Sequence, residues 1–236
     1  IGKWHLGHQK SLLPVNNGFE YFYGNVHYNK GDSLPLYKNV EIVDYLTTRD
    51  YITQDLTNEA LRFISENKEN PFFLYLPNPM PHIPLGASPK FKGKSANGIY
   101  GDAVEEIDWS VKQMTDHLEK LGLSDNTLFI FTSDNGAENY HRIDEPVGGR
   151  NIPLHEWKGS SFEGGFRVPC IMYWPGTIPA GQVSSELVTA LDIFPTIANL
   201  SGGSIPQDRI IDGMDMTNFL TGKEVASPRE TFYYYE

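Results

Sequence analysis

The chain has 236 residues, 39% of them hydrophobic and 21% charged, and carries a formal net charge of −11 at pH 7. This is the composition of one large globular domain, and its acidity argues against a nucleic-acid partner, since a phosphate backbone needs a basic face. A single cysteine, Cys170, rules out an internal disulfide, and no apolar run reaches membrane-spanning length. Residues 1–48 are rich in Gly, Asn, Pro and Tyr and read as irregular structure with short strands. From Tyr51 to Asn67 the spacing predicts an amphipathic helix with Ile52, Leu56, Ala60, Phe63 and Ile64 on one face and Asp50 as its cap. Pro71 ends that pattern, and Phe72 to Leu76 reads as a buried strand. A proline-dense loop, Pro77 to Leu85, follows.

A second helix is marked by the stripe Val104, Ile107, Val111, Met114, Leu118 and Leu121. Asp102, Glu105 and Glu106 load its first turn, where the helix dipole favours acids. Gly122 stands as its C′ residue. Leu128 to Thr132 reads as a strand buried on both faces, followed by a polar loop to about Phe166. Another strand, Val168 to Trp174, contains Cys170 as a buried, inert thiol. A third helix is expected near Asp192 to Leu200, with Pro195 in its first turn, and a short one over Met216 to Leu220. Strands alternating with amphipathic helices predict an α/β layer architecture: a mostly parallel central sheet with helices on both faces.

Four segments carry cations or hard oxygen ligands. Thr132-Ser133-Asp134-Asn135-Gly136 ends an apolar strand with a carboxylate and an amide oxygen, donors suited to Ca²⁺ or Mg²⁺ rather than zinc; the plain alternative is an Asp-Asn-Gly turn. In Gly2-Lys3-Trp4-His5-Leu6-Gly7, Lys3 and His5 point the same way if the backbone is extended. His82 lies in Pro81-His82-Ile83-Pro84, where the prolines restrict the backbone and present the imidazole rigidly, as proton transfer or anion contact requires. Trp157-Lys158-Gly159-Ser160-Ser161-Phe162-Glu163-Gly164-Gly165 places a point charge among glycines that let backbone approach a ligand.

In this order the segments resemble the sulfatase family of the alkaline-phosphatase superfamily, with the nearest likeness to its arylsulfatase A and N-acetylgalactosamine-6-sulfatase branch. Gly18-Phe19-Glu20-Tyr21-Phe22-Tyr23-Gly24 and Tyr100-Gly101-Asp102-Ala103-Val104-Glu105-Glu106-Ile107-Asp108 belong to the same ordered set. The resemblance implies a sulfuric ester hydrolase acting on a sulfated small molecule or glycan, with Asp134 and Asn135 as calcium ligands. It implies that Lys3 contacts nucleophile and sulfate, that His5 serves the nucleophile's hydroxyl, and that His82 and Lys158 hold the sulfate and assist the leaving alcohol. It also implies an extracytoplasmic setting, periplasmic, secreted or lysosomal.

Two family features do not occur in the sequence. The Cys/Ser-x-Pro/Ala-x-Arg motif that becomes the formylglycine nucleophile is missing: Cys170 is followed by Ile171-Met172-Tyr173, and Ser88-Pro89-Lys90 and Ser227-Pro228-Arg229 have the wrong spacing. The early Asp-Asp pair that completes the calcium site is missing too. Both belong upstream of Lys3. The chain is therefore expected to be the central part, residues 1–236, of a catalytic domain truncated at both ends, binding calcium poorly and turning over no substrate alone. Competing readings are a phosphate or phosphonate ester hydrolase of the same superfamily, and a non-catalytic sulfatase-like domain that binds anionic glycans. His141, Arg142, Arg150 and His155, in the loop from Glu138 to Glu156, could read a sugar carboxylate or second sulfate, or could be solvated loop charges.

Overall fold

A computed structural model describes residues 1–27, 31–138 and 148–234. The chain divides into two compact units, Ile1–Leu123 with Ala137–Ile152 and Ser124–Gly136 with Pro153–Glu236. In the first unit, β1 (Gly2–Lys3), β2 (Tyr23–Asn25), β3 (Leu34–Lys38) and β4 (Glu41–Leu46) form a sheet in chain order. Two helices accompany it, α1 (Ile52–Asn67) and α2 (Gly98–Lys120). Leu34, Ile52, Leu56, Met80 and Ala103 make one buried cluster, and Leu13, Phe22 and Val26 another.

The α/β class stands, but the strand pairings differ from the expected parallel sheet. Among the described residues β1–β2 is parallel, while β2–β3, β3–β4 and the second unit's pair are antiparallel. The connection explains it for β3 and β4. Only Asn39 and Val40 separate them, Asn39 sits at φ 56°, and a two-residue turn can only join antiparallel neighbours. The segment Phe72 to Leu76 is extended but forms no ladder. Ile1 N donates to Tyr75 O at 3.0 Å and Lys3 N–H to Pro77 O at 2.8 Å. The return bond to Ile1 O would have to come from position 77, where proline has no N–H.

Helix α1 buries Ile52, Leu56, Ala60 and Ile64, as its periodicity predicts. Asp50 does not cap it: its carboxylate takes the Lys92 ammonium at 2.8 Å, and the chain enters through Tyr51 in a near-helical conformation. Helix α2 ends on Gly122 at φ 69°, with Leu123 N–H bonded to Leu118 O, the expected glycine stop. Its buried face is rotated from the apolar stripe. Val104 is 42% exposed, whereas Asp102, Glu106 and Ser110 are buried. Each of these residues has found a partner, though Glu106 Oε1 meets none among the described residues. The Ser110 and Thr57 hydroxyls meet at 2.6 Å across α1 and α2, and Glu106 Oε2 accepts Ser88 N–H at 2.9 Å.

Asp102 accepts the N–H groups of Gly93, Lys94 and Ser95 at 2.7, 3.0 and 2.7 Å. It is a clasp for the loop before α2 rather than a dipole charge. Burial alone would raise its pKa, but the three N–H donors outweigh it and hold the carboxyl below its usual range. A depressed pKa gives stability that is complete above about pH 4 and is lost as pH falls through the native value. Asp102→Asn should cost about 2–3 kcal/mol at pH 7 in urea unfolding, and the deficit should shrink as wild type and variant are compared at progressively lower pH.

In the second unit, β5 (Phe129–Thr132) pairs with β6 (Cys170–Tyr173) in the register Phe129↔Tyr173 and Thr132↔Cys170. Three helices follow or intervene: α3 (Glu163–Phe166), α4 (Ile193–Leu200) and α5 (Thr217–Leu220). Two expectations are corrected here. The run Leu128 to Phe131 is half-buried rather than covered on both faces, and Cys170 is exposed rather than buried. Within the described residues β5 has one strand neighbour, and Ile171 on β6 is 61% exposed, so this pair keeps apolar surface uncovered.

Candidate functional site

The predicted site residues form two groups, one in each unit. In the first, Gly2 and Gly24 bring three backbones together. A Cβ on Gly2 would lie 2.4 Å from Pro77 O, and one on Gly24 would lie 1.9 Å from Gly2 O. Only glycine permits approach this close. Lys3 leaves this crossing half-buried, with Asn25 of β2 as its register partner. Trp4 N–H and His5 N–H continue the pairing to Asn25 O and Val26 O at 2.8 and 3.1 Å. His5 is exposed and sits at φ 56°, a left-handed conformation that a non-glycine residue holds at a cost, as reactive sites often require.

His82 belongs to the same unit. Its loop is rooted where Lys3 N–H meets Pro77 O and is anchored by Met80, which is buried in the core cluster. Asn78 Oδ1 accepts Met80 N–H at 3.0 Å, and His82 N–H donates to Pro79 O at 3.1 Å. The peptide bonds Met80–Pro81 and Ile83–Pro84 are both cis. His82 Nδ1 lies 2.7 Å from Ile83 O, and since a carbonyl only accepts, Nδ1 carries the proton. In the neutral ring Nε2 is then an acceptor, and it donates only when the ring carries a second proton.

In the second unit, β5 delivers Asp134, exposed, and Asn135, half-buried. Their turn is docked onto the loop that carries Lys158. Gly136 N–H donates to Gly165 O at 2.9 Å, and Gly164 N–H to His155 O at 2.7 Å. A Cβ at Gly136 would fall 1.8 Å from Gly164 O, one at Gly164 2.1 Å from Glu156 O, and one at Gly165 2.2 Å from Ser160 O. The glycines noticed in the sequence thus serve backbone-to-backbone contact. Lys158, half-buried, leads into Gly159 at φ 86°. The donors Asp134 and Asn135 suit a hard cation, but they are two of the about six to eight oxygens calcium takes. Among the described residues no cluster of three or more His, Cys, Asp or Glu could complete the set.

Sequence reasoning did not find Asn25 or Ser160. Asn25 is fully buried beside Lys3, and Ser160 Oγ is buried without a hydrogen-bond partner among the described residues. Nor did it find α3, a single turn whose two glycines argue against a helix. Ala137 and Asn151 exchange two hydrogen bonds, Ala137 N–H to Asn151 Oδ1 at 2.9 Å and Asn151 Nδ2 to Ala137 O at 3.1 Å. Of the loop cations considered above, His141 and Arg142 lie outside the described residues. His155 is exposed, against Phe162 with ring centres 4.7 Å apart.

A family model described as Sulfatase matches residues 1–203. The chain is a member of the sulfatase family. Human steryl-sulfatase is 44% identical over 91% of this chain and 37% of its own length. Mouse N-acetylgalactosamine-6-sulfatase is 41% identical over 99% of this chain and 48% of its own. The solved PsFucS1 sulfatase from Pseudoalteromonas sp. superposes with a TM-score of 0.88 at 29% identity, covering 100% of this chain and 54% of that one. This sulfatase chain therefore spans half or less of the length of these curated relatives. It has no helix, among the described residues, long and apolar enough to cross a membrane.

Proposed function

We propose that residues 1–236 are the central part of a sulfatase catalytic domain whose complete form hydrolyses a sulfate ester outside the cytoplasm. The observation that carries this reading is the pairing of family membership with built settings for all six predicted residues: Lys3, His5 and His82 in one unit, Asp134, Asn135 and Lys158 in the other. A sulfate ester is anionic, and charge grows on its leaving oxygen as the S–O bond breaks. Lys3 and Lys158 would bind the sulfate oxygens as fixed ammonium charges, a stabilisation worth most where water is excluded. His82 as the imidazolium, its Nδ1–H held on Ile83 O, would give its Nε2 proton to the departing alkoxide and be left neutral. His5 would take and return a proton beside the nucleophile. Asp134 and Asn135 would hold Ca²⁺, with Mg²⁺ as the other hard-cation candidate, together with upstream carboxylates; when bound, the cation adds positive charge against the sulfate. The nucleophile itself, a formylglycine, would come from the upstream region.

The substrate would be a sulfated small molecule or a sulfated glycan. A solved relative at 33% identity and TM-score 0.76, Ps i-CgsB, covering 92% of this chain and 53% of its own, was crystallised in complex with k-i-k-neocarrahexaose, and this favours a sugar. The test compares the complete gene product with residues 1–236 on matched aryl sulfate and aryl phosphate esters, with and without chelation of calcium. The complete product should prefer sulfate and lose activity on chelation, and residues 1–236 should be inactive. A preference for phosphate would replace this reading with the phosphate-ester one. Anion binding without turnover would replace it with the glycan-binding one.

A further inference from the structure

We propose that Asn25 is a positioning residue for Lys3: its buried amide oxygen is an acceptor kept for the Lys3 ammonium. Asn25 ends β2 and is 0% exposed. Its amide orientation is forced, because Nδ2 donates to His27 O, and turning the group would set oxygen against oxygen. The atom left over is Oδ1, which is buried and meets no donor among the described residues. A buried acceptor left unmatched costs about 1–3 kcal/mol, so such atoms are rare and call for an explanation.

The register supplies one. Asn25 and Lys3 are direct partners in the parallel β1–β2 ladder, so their side chains leave the sheet on the same face. Both backbones are held, Trp4 N–H on Asn25 O at 2.8 Å and Lys3 N–H on Pro77 O at 2.8 Å, and the glycine crossing at Gly2 and Gly24 allows neither strand to slide. An ammonium has three donors and no acceptor. An anion takes one or two of them, and a carbonyl oxygen fixed beside the stem takes another. Oδ1 is inaccessible to solvent, so a substrate hydroxyl does not reach it; the Lys3 side chain, leaving the same face, would turn onto it as the anion binds. Bound in this way, the ammonium is aimed at the anion instead of sampling rotamers, and its protonated form is favoured.

The catalytic consequence rests on the sulfatase reading, but the Asn25–Lys3 coupling does not, and the experiment reads them separately. In the complete gene product with inorganic sulfate present, trace acetic anhydride labels amines in proportion to their unprotonated, accessible fraction. The ratio of Lys3 to Lys10 labelling, read by mass spectrometry, carries its own internal reference. Asn25→Leu, which keeps volume and removes the acceptor, should raise that ratio about fivefold. Asn25→Asp, which strengthens the acceptor, should lower it and remains informative if the leucine variant does not fold. A ratio unchanged in both variants overturns the proposal, as does an unmatched Oδ1 served only by a trapped water. On the kinetic side, Asn25→Leu should lower kcat about tenfold with little change in KM and should add no further loss in a Lys3→Met background. An additive loss there overturns the proposal. If the wild-type product hydrolyses no sulfate ester, the function proposed above fails, while the labelling ratio still decides the coupling.

Discussion

Arg229→Met should cost about 3–5 kcal/mol of stability, because it strands a carboxylate in the interior of the second unit. Asp192 is 0% exposed and Arg229 is buried beside it. The guanidinium meets both carboxylate oxygens, with Nε to Oδ2 at 2.9 Å, while Nη2 also donates to Asp212 O at 2.7 Å. Asp192 takes the N–H groups of Thr189 and Met214, each at 2.8 Å, and the Thr189 hydroxyl at 3.0 Å. One ion pair thus ties the start of α4, the stretch at 212–214 and the segment 227–231. Ser227 adds to the clasp, its hydroxyl donating to Leu187 O and accepting Arg229 N–H. Burial would raise the Asp192 pKa, but Arg229 and the N–H donors outweigh it and hold it below the usual range. Its contribution is therefore complete above about pH 4 and lost as pH falls through the lowered native value. Urea unfolding at pH 7 measures the variant's deficit. A loss under about 1 kcal/mol would mean the pair is solvated and the clasp unimportant. The double variant Asp192→Leu with Arg229→Met should recover part of the deficit, since no charge is then left buried.

Lys3→Met and Lys158→Met, each in the complete gene product, should lower kcat/KM by about 10²–10³ at unchanged circular dichroism, the usual loss when one charge-stabilising donor is removed. Lys10→Met, on the exposed turn after β1, is the control and should change activity less than twofold. Losses no larger than the control's would remove both lysines from the reacting centre. A loss confined to KM would make them binding groups rather than groups that act as the S–O bond breaks.

The helices were legible where apolar spacing decides burial, as in α1, or where Pro195 at the start and glycines beyond the end mark the limits, as in α4. In α2 the pattern misled. Asp102, Glu106 and Ser110 face inward because the loop before the helix and Thr57 of α1 offer partners, and hydropathy does not report partners. Residues 72–76 have strand composition and an extended backbone, yet Pro77 withholds the donor that would complete a ladder. Asp50 looked like a cap, but Lys92 lies within reach of it. The candidate site residues Lys3, His5, His82, Asp134, Asn135 and Lys158 were picked out by charge type and order along the chain. Asn25 and Ser160 were not, because their significance comes from a missing partner, a property that exists only in three dimensions.

The seating of Gly136 against Gly164 has an evolutionary corollary. The Asp134–Asn135 turn and the lysine-bearing loop share a zero-clearance joint, so neither can drift in sequence without the other. Diversification of substrate choice would have to proceed through side chains rooted outside that joint, on the outward positions of the 150–162 stretch, where Ile152, His155 and Phe162 already face solvent.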